Sequence, residues 1–179
     1  MANPKHLARI AAVCSLTALF AMPPCAFADD YTDVNRLVQA RQFDVAMARA
    51  EQYLAAKPRD PQMRFLKGVI EAETGKRKQA IDTYTQLTQE YPELPEPYNN
   101  LAVLYAQGNE YDKAREALEG AVRANPGYAI AHENLGDVYA KLASQSYAKA
   151  QQIDPANPTA PAKLSLVRQL LSSTQAKSR

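Results

Sequence analysis

A period of 34 residues governs this 179-residue chain. Ala46, Ala80 and Ala114 are 34 apart, and so are Pro58, Pro92 and Pro126. Phe43, Arg77 and Tyr111 precede those alanines at a constant offset of three, and Gly68, Ala102 and Gly136 recur at the same interval. Repetition at this length marks stacked supersecondary units, none of which buries its apolar face alone. Inside a unit the apolar residues fall at helical spacing: Leu101, Leu104 and Tyr105 on one segment, then Ala114, Ala117, Leu118 and Ala121 on the next. Gly75-Lys76 and Gly108-Asn109 separate the segments and read as turns in which Gly takes the left-handed conformation that ends a helix. Helices joined by so short a turn are antiparallel neighbours. Gly68, Ala102 and Gly136 are small where paired helices would cross closest, and the prolines end the second helix of each pair.

The units are not equal. Residues 61–94 and 95–128 are full copies, whereas 27–60 matches only in its second half, through Ala46, Tyr53 and Pro58, which predicts a short first helix. In residues 129–158 the next proline is due at 160, yet Pro155 arrives five residues early. Lys141 to Gln152 holds no Gly, Pro, Asn or Asp, so turn chemistry is missing and one continuous helix over 129–153 is expected rather than a tight hairpin. A last helix should start near Thr159 or Ala160 with Pro161 in its first turn. Its apolar face of Leu164, Val167, Leu170 and Leu171 and its polar outer side suit a cap over 159–172, with 173–179 a flexible tail.

Residues 1–28 read as a signal peptide. Lys5 and Arg9 form a basic start, Ile10 to Met22 is apolar but short for a bilayer, and Ala26-Phe27-Ala28 offers an A-x-A cleavage site. Lipidation at Cys25 is the competing reading, against which Met22-Pro23-Pro24 precede it in place of small residues. Cleavage after Ala28 places the protein in a periplasm or outside the cell, with no membrane span in the mature chain. Cys14 and Cys25 leave with the signal, so neither disulfide nor thiol chemistry remains. Removing Lys5 and Arg9 from 21 basic residues leaves 19 against 19 acidic ones, and a neutral chain gives no reason to expect nucleic acid.

The columns resemble the tetratricopeptide repeat family. In residues 95–128, Tyr98, Leu101, Ala102, Tyr105, Ala114, Leu118, Ala121 and Pro126 occupy its consensus columns. Residues 61–94 match through Gly68, Ala80, Tyr84, Leu87 and Pro92 but carry Arg64, Lys67 and Glu71 where the family prefers apolar residues. His132, Leu135, Gly136 and Tyr139 continue the pattern in the fourth unit. The resemblance implies an all-α fold: a right-handed α-solenoid of antiparallel helix pairs, about three and a half repeats plus a C-terminal capping helix.

It also implies a concave groove lined by the first helix of each pair. Carried over residue by residue, the lining is Gln62, Phe65, Val69, Ala72 and Glu73; Glu96, Asn99, Val103, Ala106 and Gln107; and Ile130, Glu133, Asp137, Ala140 and Lys141. Phe65, Val69 and Val103 form an apolar patch and Glu73, Glu96, Glu133 and Asp137 an acidic margin, which suits a peptide with apolar side chains and some positive charge. The blander alternative is that Phe65 and Val69 merely complete packing against the irregular first unit. The family's clamp for C-terminal carboxylates needs cations where Phe65, Val69, Asn99, Val103, Glu133 and Asp137 stand, so Asn100 and Asn134, which match that clamp's asparagine column, are ordinary consensus.

Catalysis fails on inventory. His132 is the single histidine after residue 28 and is expected to pack, partly buried, against the neighbouring unit. No phosphate-cradling glycine motif occurs, and pairs such as Glu71 with Glu73 or Glu93 with Glu96 fall on helix surfaces or turns. The Gly75-Lys76-Arg77-Lys78 turn and the cations Lys163, Arg168, Lys177 and Arg179 are read as solvated. The chain is therefore expected to be a non-enzymatic adaptor with no cofactor and no metal, holding a protein or peptide partner in an envelope complex. A self-associating, homo-oligomeric scaffold is the alternative.

Overall fold

The computed structural model describes residues 26–177. Most of the segment read as a signal, with both cysteines, lies outside the described residues, as do 178–179. The described residues form eight helices and no strand: α1 (Ala26–Gln39), α2 (Phe43–Ala56), α3 (Pro61–Glu73), α4 (Arg77–Glu90), α5 (Pro95–Gln107), α6 (Tyr111–Ala124), α7 (Ala129–Ile153) and α8 (Ala160–Lys177). Each packs on the next, while α1 also touches α3 and α5 touches α7. The result is an all-α solenoid of three hairpins followed by one long helix and one closing helix.

The turns inside the hairpins share one backbone geometry. Arg41, Gly75 and Asn109 adopt φ of 57°, 75° and 60°, and they stand 34 residues apart. In each turn the left-handed residue donates three residues back and its successor five back: Arg41 to Val38 and Gln42 to Leu37, Gly75 to Ala72 and Lys76 to Glu71, Asn109 to Ala106 and Glu110 to Tyr105, all at 2.9–3.1 Å. This is the doubly bonded helix stop that satisfies the last carbonyls. The expected left-handed glycine of the α5–α6 turn is not Gly108, whose φ is −86°, but its neighbour Asn109. Gly108 answers to space instead: a Cβ there would lie 2.3 Å from the Arg77 guanidinium, which reaches over to bond the Leu104 carbonyl at 3.0 Å and Glu110 at 2.8 Å.

The joints between units repeat as well. Asp60 N–H bonds Lys57 O, Leu94 bonds Tyr91, Tyr128 bonds Asn125 and Asn157 bonds Asp154, at 3.1–3.2 Å, each turn enclosing its proline. The fourth joint comes 29 rather than 34 residues after the third, and the missing five residues leave α7 unbroken over its 25 residues. With no residue to form a turn, backbone hydrogen bonding simply continues, as the sequence predicts.

Three expectations need correction. α1 is not short: it has 14 residues and starts at Ala26, because Tyr31, Val34, Leu37 and Val38 supply a helical stripe and pack into the core of α1–α3. α8 does not stop at 172 but runs to Lys177, since Ser172 to Lys177 contains no breaker. Its outer side is also not uniformly polar; Leu166 and Leu170 are exposed, along with Ile153 at the end of α7.

Two apolar clusters run through the array. One gathers Val34, Ala46, Ala50, Tyr53, Met63 and Ile70; the other joins Ala80, Tyr84, Leu87, Leu101, Ala102, Leu104, Ala114, Leu118, Ala121, Ala131 and Val138. So many alanines in the core mean close helix approach, in which even a methyl group is felt. A Cβ on Gly68 would sit 2.6 Å from the buried Tyr84 ring, so the small column is needed there. At Gly136 nothing lies within 4 Å. That column is idle in the fourth unit because α7 never folds back to meet itself.

The polar intruders of α3 find partners. Arg64 bonds Glu90 of α4 at 2.7 and 3.0 Å, and Glu71, buried, accepts from Thr83 Oγ1 at 2.7 Å with Lys67 at 3.8 Å. Bonding to Arg64 holds the Glu90 carboxyl below its usual range. His132 is exposed rather than half-buried; its Nε2–H donates to Pro126 O at 2.9 Å, tying α7 to the joint before it.

Candidate functional site

The stacked first helices leave two adjoining concavities. Between α3 and α5 a cleft of about 240 Å³ is lined by Val69, Ala72 and Glu73, by Tyr84 from α4 behind them, and by Asn100, Val103, Leu104 and Gln107. Between α5 and α7 a larger one of about 450 Å³ is lined by Ala102, Val103, Ala106 and Gln107 on one side and Asn134, Asp137, Val138 and Lys141 on the other, with Asn109, Tyr111 and Leu118 at its base. Val103 and Gln107 belong to both, so the two form one furrow along α5.

Of the residues expected in the groove, Val69, Glu73, Val103, Gln107, Asp137 and Lys141 come together along this furrow, with Ala72 and Ala106 between them. Val103 is 39% exposed on its floor, an apolar side chain turned to solvent in the middle of the array. Gln62, Glu96, Ile130 and Glu133 are exposed outside both concavities, and buried Ala140 also lies outside them. Phe65 packs its ring on Tyr84, centroids 5.7 Å apart and planes tilted by 47°. Asn99 is buried and accepts from Asn134 Nδ2 at 2.8 Å, so it links α5 to α7.

Sequence columns alone do not reveal the polar floor. Asn100 Nδ2 donates to the Tyr84 hydroxyl at 3.2 Å, and Asn99 reaches Asn100 at 3.4 Å. Burial pushes the Tyr84 hydroxyl up to about 12, so it stays protonated and keeps a donor for a ligand carbonyl. Asn100 and Asn134, read from sequence as consensus, therefore carry the hydrogen bonds that fix the furrow's floor. The column that marked them for a clamp was the available signal.

Charge is unevenly placed. Glu73 lies at the α3 end with Arg41 only loosely attached at 3.7 Å, both partners being largely exposed and screened by water. Lys141 stands at the α7 end, one turn beyond Asp137. Among the described residues no cluster of His, Cys, Asp and Glu could hold a metal ion, and no helix is long and apolar enough to cross a membrane. The furrow offers apolar side chains, amides, a neutral hydroxyl and dispersed charge, which is equipment for holding a chain segment.

Two models, each described as tetratricopeptide repeat, match residues 31–95 and 71–142. The tetratricopeptide domain of Sgt2 from Aspergillus fumigatus superimposes with a TM-score of 0.63 at 17% identity, covering 69% of this chain and 83% of that one. The Yersinia enterocolitica type III secretion chaperone SycD, in complex with a peptide of the translocator YopD, gives 0.59 at 15% identity over 65% of this chain and 94% of that one. YrrB, described as having an unusual peptide-binding site, gives 0.54 at 24% identity over 58% and 54%. At these identities the likeness is one of fold.

Proposed function

Because the chain belongs to the tetratricopeptide repeat family, we propose that it is a non-enzymatic adaptor that holds a peptide or helix of a partner protein in the furrow along α5. The single observation that supports this most is Val103: an exposed apolar residue shared by two concavities whose polar floor is held in place by its own hydrogen bonds. Such a floor needs no ligand to be stable, so apolar contact and a few backbone hydrogen bonds can be spent on the partner. Similar arrays that hold peptides, among them SycD, lend support by analogy of fold.

The test is capture of partners from envelope extract by wild type and by Val103→Glu. A charge in mid-furrow should abolish capture while the helical circular dichroism and melting curve stay as in wild type. A folded Val103→Glu chain that retains every partner removes the furrow as the site.

The place of action we propose is the periplasm or the exterior, after cleavage following Ala28. Cleavage there would trim α1 by three residues and leave Tyr31 and Val34, its core contacts, in place. Mass spectrometry of the cellular protein should give a chain starting at Asp29, and an intact leader on the functional form would end this proposal. Exposed Ile153, Leu166 and Leu170 favour one second reading, self-association through the α7–α8 end. Light scattering that stays monomeric at rising concentration removes it.

A further inference from the structure

Beside the straight α7 lies a further cleft of about 420 Å³. It lies where the start of α6, the middle of α7 and the far part of α8 meet. Lys141 and Arg168 line it together with Asn109, Tyr111 and Ser144, and none of the described side chains lining it is a carboxylate. Asn109, Tyr111 and Lys141 also line the α5–α7 concavity, so this cleft continues the furrow.

Arg64, Arg77, Lys113 and Arg115 all pair with acids, whereas Lys141 and Arg168 enter no ion pair in the described part of the chain. Tyr111 donates its hydroxyl to Asn109 Oδ1 at 2.8 Å, which leaves the Asn109 amide with N–H donors to offer. Asp137, one turn before Lys141, lines the adjoining concavity and not this one. Two cations, amide and hydroxyl donors and no acid suit carboxylates. At the opposite end of the furrow stands Glu73, so the groove changes sign along its length.

We infer that the α6–α7–α8 cleft is an anion subsite of the furrow, which takes the carboxylate side chains of an acidic stretch in a partner peptide whose apolar part lies along Val69, Val103 and Ala106. This rests on the proposed peptide binding and adds a direction to it: the bound segment runs with its acidic part toward α8.

Fluorescence anisotropy on the full chain tests the subsite, with labelled, amidated peptides of roughly ten residues that join a Glu, Gln or Lys run to one common apolar run. At low salt the Glu peptide should bind about tenfold tighter than the Gln peptide, and the Lys141→Gln/Arg168→Gln variant should remove that advantage. A Lys149→Gln/Lys163→Gln control, equal in net charge, should keep it. Equal binding of the Glu and Gln peptides overturns the inference, as does an equal loss in the control. Tighter binding to phosphatidylglycerol vesicles than to the Glu peptide, or displacement of that peptide by millimolar inorganic phosphate, overturns it too, by showing a lipid surface or a free anion as the ligand. The Val103→Glu variant separates the two proposals. If Val103→Glu leaves Glu-peptide affinity intact while Lys141→Gln/Arg168→Gln lowers it, the furrow falls and the subsite stands. The reverse sinks the subsite alone.

Discussion

The second unit closes and the fourth does not, although both carry a glycine in the same column. In α3–α4, Gly68 lets the Tyr84 ring come within 2.6 Å of where a Cβ would be, and the two helices share a buried core. In α7, Gly136 faces open space, and the helix runs on until α8 meets it. The same residue is thus a packing requirement in one place and an idle inheritance in the other. What differs is whether a turn follows, and the fourth unit lacks the five residues that would make it.

The largest expected effect exploits that pair directly. Gly68→Leu must displace Tyr84 from a filled core and should cost about 2–3 kcal/mol in urea unfolding. Gly136→Ala should instead stabilise by about 0.5–1 kcal/mol, since an open helix interior gains when glycine is replaced. A similar cost at both positions would break the contrast; a costly Gly136→Ala would mean that α7 has a neighbour across that face.

The joints at the two ends of the array sharpen the comparison next. Asp60 caps α3 by accepting from Met63 N–H at 2.9 Å and also accepts from the hydroxyls of Tyr31 at 2.5 Å and Tyr53 at 3.2 Å. Asn157 plays the same part before α8, accepting from Ala160 N–H at 2.8 Å. Asp60→Ala should cost about 1–2 kcal/mol. Burial alone would raise the Asp60 carboxyl, but the bonds from Tyr31 and Met63 outweigh it and hold the group below its ordinary 3.8. Burial and the bond to Asp60 push Tyr31 far up, so it remains a donor. A depressed carboxyl stabilises the fold above its ordinary pKa and stops doing so as pH falls through the folded value. Acid should therefore loosen α1–α3 before α7–α8, whose amide cap does not titrate. Thermal melts in high salt, which screens the exposed Glu90 and Glu110 pairs, should show this acid loss, and Asp60→Asn should flatten it.

The smallest effect lies in the turns. Arg41 takes the left-handed conformation that Gly75 takes without strain, so Arg41→Gly should stabilise α1–α2 by about 1 kcal/mol in the same unfolding assay. No such gain is available in α7, which has no turn to relieve.

Much of this architecture was legible because a repeat is written many times. Columns of alanine, proline and small residues fixed the period, and the absence of breakers after Lys141 revealed the straight helix. Positions whose role depends on what faces them were not legible. Gly108 and Asn109 are adjacent turn formers, and only the structure tells which one takes the left-handed conformation and which one lies under the Arg77 guanidinium. The length of α1 was hidden because its stripe departs in residue type from the later units, with Val34 where they carry Gly68, Ala102 and Gly136 and Leu37 where they carry Glu71, Tyr105 and Tyr139. In the groove, the first-helix columns pointed to Val69, Val103 and Lys141, but the floor made by Tyr84 from a second helix could not be read from them, and neither could the diversion of Asn99 into an inter-helix bond.

The four proline joints close with the same backbone bond although the stretch between the last two has lost a turn's worth of chain. Punctuation and content are therefore separable in this molecule: a hairpin from a kindred array, spliced between Tyr128 and Asp154, would meet connectors already shaped to receive it. Lengthening the superhelix would then be a matter of cassette exchange rather than redesign.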